Sequence, residues 1–198
     1  LDKRNMNATK KIVAAVLLSA ASAASFAAPM VEINTTEGKI VVDLNSKAAP
    51  VTVDNFLKYA NSGFYNGTIF HRVINNFMIQ GGGFTKDMNQ KKTGAPIKLE
   101  DKNGLKNTVG SIAMARTNDP NSATSQFFIN LKDNDFLNGD SSKDGYAVFG
   151  KVVQGMDVVR KIGRTPTTSR GFYDDVPSRP VIIESVKVLK QLFIRKKK

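Results

Sequence analysis

Short apolar runs, each of strand length, recur along this chain and set the tightest limit on what it can build. They lie at residues 31–35, 39–44, 68–73, 77–80, 112–114, 127–130, 147–153 and 181–189, separated by loops rich in Gly, Asn and Asp. Only two segments carry a helical period instead. Val53, Phe56, Leu57 and Ala60 fall at i, i+3, i+4 and i+7, with Thr52 as the predicted N-cap and Gly63 as the stop. Met156, Val159 and Ile162 recur every third residue, and Gly163 ends that second, short helix. Glu37-Gly38 between the first two runs is a hairpin signal. Many short strands and two helices predict a mainly-β domain, a closed antiparallel barrel being the simplest arrangement, although this pattern does not separate barrel from sandwich. Twelve Phe and no Trp predict a Phe-rich core. No repeat, linker or low-complexity tract interrupts residues 28–190, which read as one domain.

The two ends read differently. Lys10-Lys11 precedes an Ala-rich apolar stretch over residues 12–27 that closes on Ser25-Phe26-Ala27, the pattern of a cleavable secretory signal peptide. The strongly apolar part is shorter than the roughly 20 residues a membrane span needs. The expectation is an exported, periplasmic protein starting at Ala28, with no stable membrane insertion after cleavage. The absence of cysteine excludes disulfides, thiolate nucleophiles and Cys-ligated zinc, and a single histidine excludes multi-histidine metal sites. The formal net charge is +12, but residues 1–27 hold four of the cations and one of the anions, and residues 195–198 hold four more cations. What remains for the globular part is about +5, a modest surface charge. No aromatic platform accompanies the basic run Arg195-Lys196-Lys197-Lys198 that closes the tail at 191–198, so a solvated end is expected rather than a nucleic-acid site. Nothing signals oligomerisation, and a monomer is the default.

The chemistry is concentrated in residues 70–84, Phe-His-Arg-Val-Ile-Asn-Asn-Phe-Met-Ile-Gln-Gly-Gly-Gly-Phe. Two strand-like runs joined by Asn75-Asn76 carry Arg72, Phe77, Met78 and Gln80, and no acid/base dyad or nucleophile accompanies them. A guanidinium beside an apolar pocket binds an amide and favours its twisted form without breaking a bond. Arg72 is a planar, permanently charged donor, and Gln80 is placed to hold it through its amide oxygen. Phe77, Met78 and Phe128 form the expected pocket, with Phe136 and Leu137 as further wall. Periodicity alone favours Phe77 and Met78 as core and Arg72 as a surface cation; it is a family resemblance that reverses this. Strand alternation points His71 away from Arg72 and gives it a structural role. Gly81-Gly82-Gly83 lacks the spacing of a phosphate loop and reads as a bend or a close backbone approach. Asp133, Asp135, Asp140 and Asp144 do not fit the spacing of a calcium loop and read as solvated carboxylates.

Residues 70–84 resemble the signature of the cyclophilins, peptidyl-prolyl cis-trans isomerases. The likeness extends over nearly all of residues 30–189 through Met114-Ala115-Arg116, Ser125-Gln126-Phe127-Phe128-Ile129-Asn130, Phe136-Leu137-Asn138-Gly139 and residues 146–153. It implies a closed eight-stranded antiparallel barrel capped by two helices, using no metal or cofactor, with the site on its outer face. It further implies Arg72 as catalytic cation and Gln80 as its partner. Phe77, Met78, Phe128 and Leu137 match the proline pocket, and Ala115, Arg116 and Gln126 match the groove for the substrate backbone. The chain is most similar to the periplasmic bacterial branch, so the implied partners are proline-containing segments of folding exported proteins. A binding module that grips such segments without turnover is the rival from another class; a basic nucleic-acid or adhesion protein would have to rest on the tail.

Four departures from the family pattern stand out. Asn75-Asn76 stands where many relatives have Pro-Gly, and Asn tolerates that turn. Tyr146 takes a frequent histidine position and Arg116 a frequent asparagine. Phe136 replaces a tryptophan common in eukaryotic members and lacks its indole N–H. The inhibitor cyclosporin should therefore bind weakly in a titration while isomerase turnover persists; a tight complex would contradict this.

Overall fold

The computed structural model describes residues 28–189; the expected signal peptide at 1–27 and the tail at 191–198 lie outside the described residues. Strands β1 (Met30–Thr35) and β2 (Gly38–Leu44) form the expected antiparallel hairpin, paired from Met30↔Asp43 to Thr35↔Gly38. The Thr35 hydroxyl closes the turn. It accepts from the Glu37 N–H at 3.1 Å and donates to the Gly38 carbonyl at 2.7 Å.

Helix α1 (Pro50–Asn61) starts with proline in its first turn, where the missing N–H has no intrahelical partner to lose. Thr52 is not its N-cap. Ala49 holds that position without a side-chain bond, and Thr52 lies buried within the first turn. The cap comes from a distant loop instead. The Glu100 carboxylate accepts from the backbone N–H groups of Val51 (3.1 Å) and Thr52 (2.8 Å) and from the Thr52 hydroxyl (2.6 Å). The first turn of α1 contains no acidic residue of its own, so Glu100 supplies the negative charge that a helix N-terminus favours.

The chain continues through β3 (Thr68–Ile69), β4 (Arg72–Ile74), β5 (Met78–Gly81), β6 (Ser111–Met114), β7 (Phe127–Asn130) and a 3₁₀ turn at Asp135–Leu137. Then follow β8 (Val148–Gln154), helix α2 (Met156–Gly163), β9 (Thr167–Arg170), β10 (Tyr173–Pro177) and β11 (Ile182–Leu189). Nine strands make one antiparallel sheet in the order β3-β11-β1-β2-β8-β6-β7-β5-β4. Among the described residues the fold is mainly β with two α-helices, as expected, but the sheet is not a closed eight-stranded barrel. It is an open, strongly curled half-barrel turning through 298°. The reason lies at Phe70-His71. The run at 68–73, expected as one strand, breaks there into β3, which pairs with β11, and β4, which pairs with β5. In the gap the Phe70 N–H donates to the Val181 carbonyl at 3.0 Å, and the Ile69 N–H to that of Phe84 at 2.9 Å. The two edges of the sheet are thus joined by the chain itself and not by a ladder.

The interior is filled by Phe56, Tyr65, Phe70, Phe127 and Phe149, whose neighbouring ring centroids lie 5.1–6.1 Å apart. Val53, Phe56 and Ala60 of α1 and Val159 and Ile162 of α2 enter the same core. The β9–β10 hairpin, hidden in the sequence by its polar Thr-Thr-Ser-Arg strand, packs against the edge strand β4. Its Tyr173 ring meets Phe84 at 5.1 Å, and Phe84 meets His71 at 4.5 Å.

This cover leaves His71 only 5% exposed, with its Nδ1 unpartnered among the described residues. Burial, helped by the Arg72 charge, lowers its pKa from 6.5 to about 4. Between those values the unfolded chain binds the extra proton, so this contribution to stability is full above pH 6.5 and is lost as pH falls. The loss from this one group should reach about 2 kcal/mol at pH 5, above the range of ordinary carboxylates. Urea unfolding at pH 7 and pH 5 should show that decline in the parent and a smaller one in His71→Leu. An identical decline in both would contradict the assignment.

Candidate active site

Alternation along four strands builds the site. Val73, Ile79, Ile112, Phe127 and Ile129 point into the interior core. Their neighbours point the other way, and the registers Arg72↔Gln80, Gln80↔Phe128 and Phe128↔Ala113 set these four in one row across β4, β5, β7 and β6. Met78, Ala113, Phe128, Leu137 and Val148 form a second apolar cluster on this outer face, with Phe77, Ala115 and Tyr146 packed against it.

A cleft of about 210 Å³ opens above that cluster, lined by Arg72, Phe77, Met78, Gln80, Ala115, Arg116, Phe128, Leu137 and Tyr146. Met78, Phe128 and Leu137 are buried and form its apolar floor, and the Tyr146 ring meets Phe128 edge-on at 5.6 Å. The remaining two candidates stand just outside. Gln126 accepts through Oε1 from the Gln80 Nε2 at 3.0 Å. Phe136 is 62% exposed and stacks on Phe77 at 5.6 Å, so it buttresses a wall without lining the cleft.

The two arginines differ in what they have left to give. Arg116 donates from Nε to the Gly145 carbonyl (3.0 Å) and from its terminal nitrogens to those of Thr117 (2.9 Å) and Asp144 (3.1 Å), and lies 4.7 Å over the Tyr146 ring. With these three bonds it pins the loop that carries Tyr146 while lining the cleft. Among the described residues, no hydrogen bond or ion pair engages the Arg72 guanidinium. The expected bond from Arg72 to Gln80 is also not made. Gln80 is tied to Gln126, and among the described residues its carbonyl oxygen has no partner, across the ladder from Arg72. With its pKa near 4, His71 is uncharged at neutral pH and adds no second cation there.

The glycine run explains how Gln126 reaches this position. Gly82 turns the chain at φ +83°, and Gly83 lies beneath Gln126, where a Cβ would sit 2.5 Å from its Cγ. Sequence reading misses the asparagines Asn107, Asn130 and Asn134, all buried under the cleft. Their one signal is Asn130, a polar residue closing an apolar strand. Among the described residues, no carboxylate lines the cleft and one unengaged cationic donor stands at the rim of its apolar pocket, an arrangement suited to binding and twisting an amide.

The family model for cyclophilin type peptidyl-prolyl cis-trans isomerase/CLD matches residues 30–188. Peptidyl-prolyl cis-trans isomerase A of Dickeya dadantii is 50% identical over 191 residues, covering 96% of this chain and all of that one. Peptidyl-prolyl cis-trans isomerase B of Escherichia coli is 59% identical over 162 residues, 80% of this chain and 99% of that one. Among solved structures, a cyclophilin type peptidyl-prolyl cis-trans isomerase of Cryptosporidium parvum superposes with a TM-score of 0.70 at 28% identity, over 83% of this chain and 99% of that one.

Charge-assisted bonds contribute about 1.5–3 kcal/mol each, so the three from Arg116 should dominate the order of its loop. Amide exchange at residues 144–146 should accelerate at least about tenfold in Arg116→Ala while β5 and β7 stay protected. Unchanged exchange in that loop would show that Arg116 does not hold it.

Proposed function

This chain belongs to the cyclophilin-type peptidyl-prolyl cis-trans isomerases, and on that premise we propose that Arg72 and its cleft twist Xaa-Pro bonds in exported proteins, assisting their folding in the periplasm. Resonance between the amide nitrogen and its carbonyl raises the rotational barrier to about 18–20 kcal/mol. As the bond turns, the proline nitrogen becomes pyramidal and regains a lone pair. A hydrogen bond from Arg72 to that nitrogen exists mainly in the twisted state and so lowers the barrier by differential binding. Turnover near 10³ per second requires lowering it by roughly 7 kcal/mol, at 1.36 kcal/mol per tenfold. One charge-assisted bond supplies about 1.5–3 kcal/mol. The apolar clamp of Phe77, Met78, Phe128 and Leu137 on the proline ring supplies the rest, holding the ring while the preceding carbonyl swings.

The observation that carries this reading is the contrast between the arginines. A cation that gripped the protein could not serve a substrate, and of the two in the cleft it is Arg72 that has no hydrogen-bond or ion-pair partner among the described residues. Gln80, fixed by Gln126, presents a free carbonyl oxygen to orient the guanidinium when substrate arrives. The leader-like pattern at residues 1–27 supports export, and the absence of an aromatic platform supports a tail without a part in turnover. A holdase that only grips proline segments needs the pocket but no unengaged donor, which favours the enzyme acting on such clients.

Isomerisation of a short Xaa-Pro peptide by residues 28–198 should be rapid, and Arg72→Ala should lose about two or more tenfold steps, or roughly 3 kcal/mol. Deleting residues 191–198 should leave the rate unchanged. A folded parent that fails to turn over would leave the peptide-binding module as the better account.

A further inference from the structure

Beneath the cleft lies a chain of side-chain amides that the isomerase chemistry does not use. Asn107, Asn130 and Asn134 are each no more than 1% exposed. Asn130 follows Phe128 and Ile129 on β7 and faces Met78 across the ladder. Its Nδ2 donates to the Asn107 Oδ1 at 3.1 Å and to the Ser111 hydroxyl at 2.8 Å, and its Oδ1 accepts from the Asn134 Nδ2 at 2.7 Å. From this hub two arms run to the pocket walls. The Asn134 Nδ2 donates to the Phe77 carbonyl at 3.0 Å. The Asn107 Nδ2 donates to the carbonyls of Leu137 (3.2 Å) and Tyr146 (3.4 Å) and to the Asn138 Oδ1 (3.1 Å). All three backbone carbonyls belong to residues that line the cleft.

We propose that these asparagines are positioning residues that fix the width of the proline pocket and thereby select the five-membered ring over larger cyclic imino acids. The inference rests on reading the cleft as the proline pocket. Phe77 sits on the turn between β4 and β5, Leu137 on the 3₁₀ turn, and Tyr146 on the loop before β8. Phe77 is remote in sequence from Leu137 and Tyr146, and among the described residues no sheet ladder joins the three walls. Leu137 and Tyr146 share one backbone bond, from the Tyr146 N–H to the Leu137 carbonyl at 2.9 Å. Phe77 accepts a backbone bond from the Leu131 N–H at 2.9 Å and stacks on Phe136 at 5.6 Å, and the amide chain adds the polar link from its carbonyl to those of Leu137 and Tyr146. Of the six amide nitrogen and oxygen atoms in these three side chains, only the Asn134 Oδ1 lacks a partner among the described residues, and burial disfavours any arrangement that orphans the others. The walls are therefore held at one separation. A pocket of fixed width discriminates a single methylene by about 10–200-fold, whereas a pocket free to widen does not.

Binding is the primary readout, since it does not depend on turnover. Two short peptides, one with proline and one with the six-membered pipecolic acid in its place, are titrated against the protein by NMR. The parent should prefer proline by at least about tenfold. In Asn107→Ala and Asn134→Ser, checked for folding by urea denaturation, that preference should fall at least about fivefold. The KM for the prolyl peptide should rise about tenfold, with kcat within about threefold of the parent. Asn134→Ser loses the direct bonds to Phe77 and Asn130 alone and carries the test should Asn107→Ala fail to fold. A parent that binds both rings equally would overturn the proposal, as would a folded variant with unchanged preference. A parent that discriminates the rings without turnover would sink the isomerase reading and leave this one standing.

Discussion

Side-chain alternation across β4, β5, β7 and β6 is the constraint on which everything else rests. The strand period of two forces consecutive residues to opposite faces of the sheet, and here both faces are apolar. One set, Val73, Ile79, Ile112, Phe127 and Ile129, closes the aromatic interior. The other, Met78, Ala113 and Phe128, builds the outer apolar cluster beneath the cleft, with Arg72 and Gln80 in the cross-strand row of Phe128 and Ala113. A one-residue slip in register would exchange the two sets and bury the guanidinium. The fold core and the site are therefore specified together by the same short strands.

What was legible in the sequence follows from how local each feature is. The β1–β2 hairpin, the apolar stripes of both helices and the strip from Arg72 to Gln80 depend on spacing within a dozen residues. Each stands where that spacing put it, and nine of the eleven site candidates line one cleft. The features that were hidden depend on contacts between distant segments. The helix α1 cap comes from Glu100 and not Thr52 because a carboxylate from another loop reaches two backbone N–H groups at once. Gln80 turns to Gln126, and Arg116 to the carbonyls of the 144–145 loop, partners no periodicity reveals. Phe136 reads as a pocket wall in sequence because it adjoins Leu137, yet the 3₁₀ turn sends the two side chains to different environments.

The incomplete closure of the sheet has a related cause. A run that looks continuous at 68–73 serves two partners, β11 before the break and β5 after it, and Phe70-His71 between them joins neither ladder. Phe70 fills the interior, while His71 turns into the space covered by Phe84 and Tyr173. The edge strand that begins at Arg72 is thus bounded on one side by a buried, neutral imidazole and on the other by the pocket. That setting keeps the neighbouring charge single at neutral pH. It also covers an edge that would otherwise be open to pairing with another strand.

The proposed mechanism requires Arg72 to act on the twisted amide more than on the planar one. Exchange spectroscopy on a bound Xaa-Pro peptide measures both quantities in one sample, the affinity for the planar conformers and the rate of their interconversion. Comparing the parent with Arg72→Ala, the account predicts interconversion slowed by about a hundredfold or more with affinity changed by no more than about threefold. Equal losses in affinity and rate would mean that Arg72 merely holds the peptide, and would contradict the account.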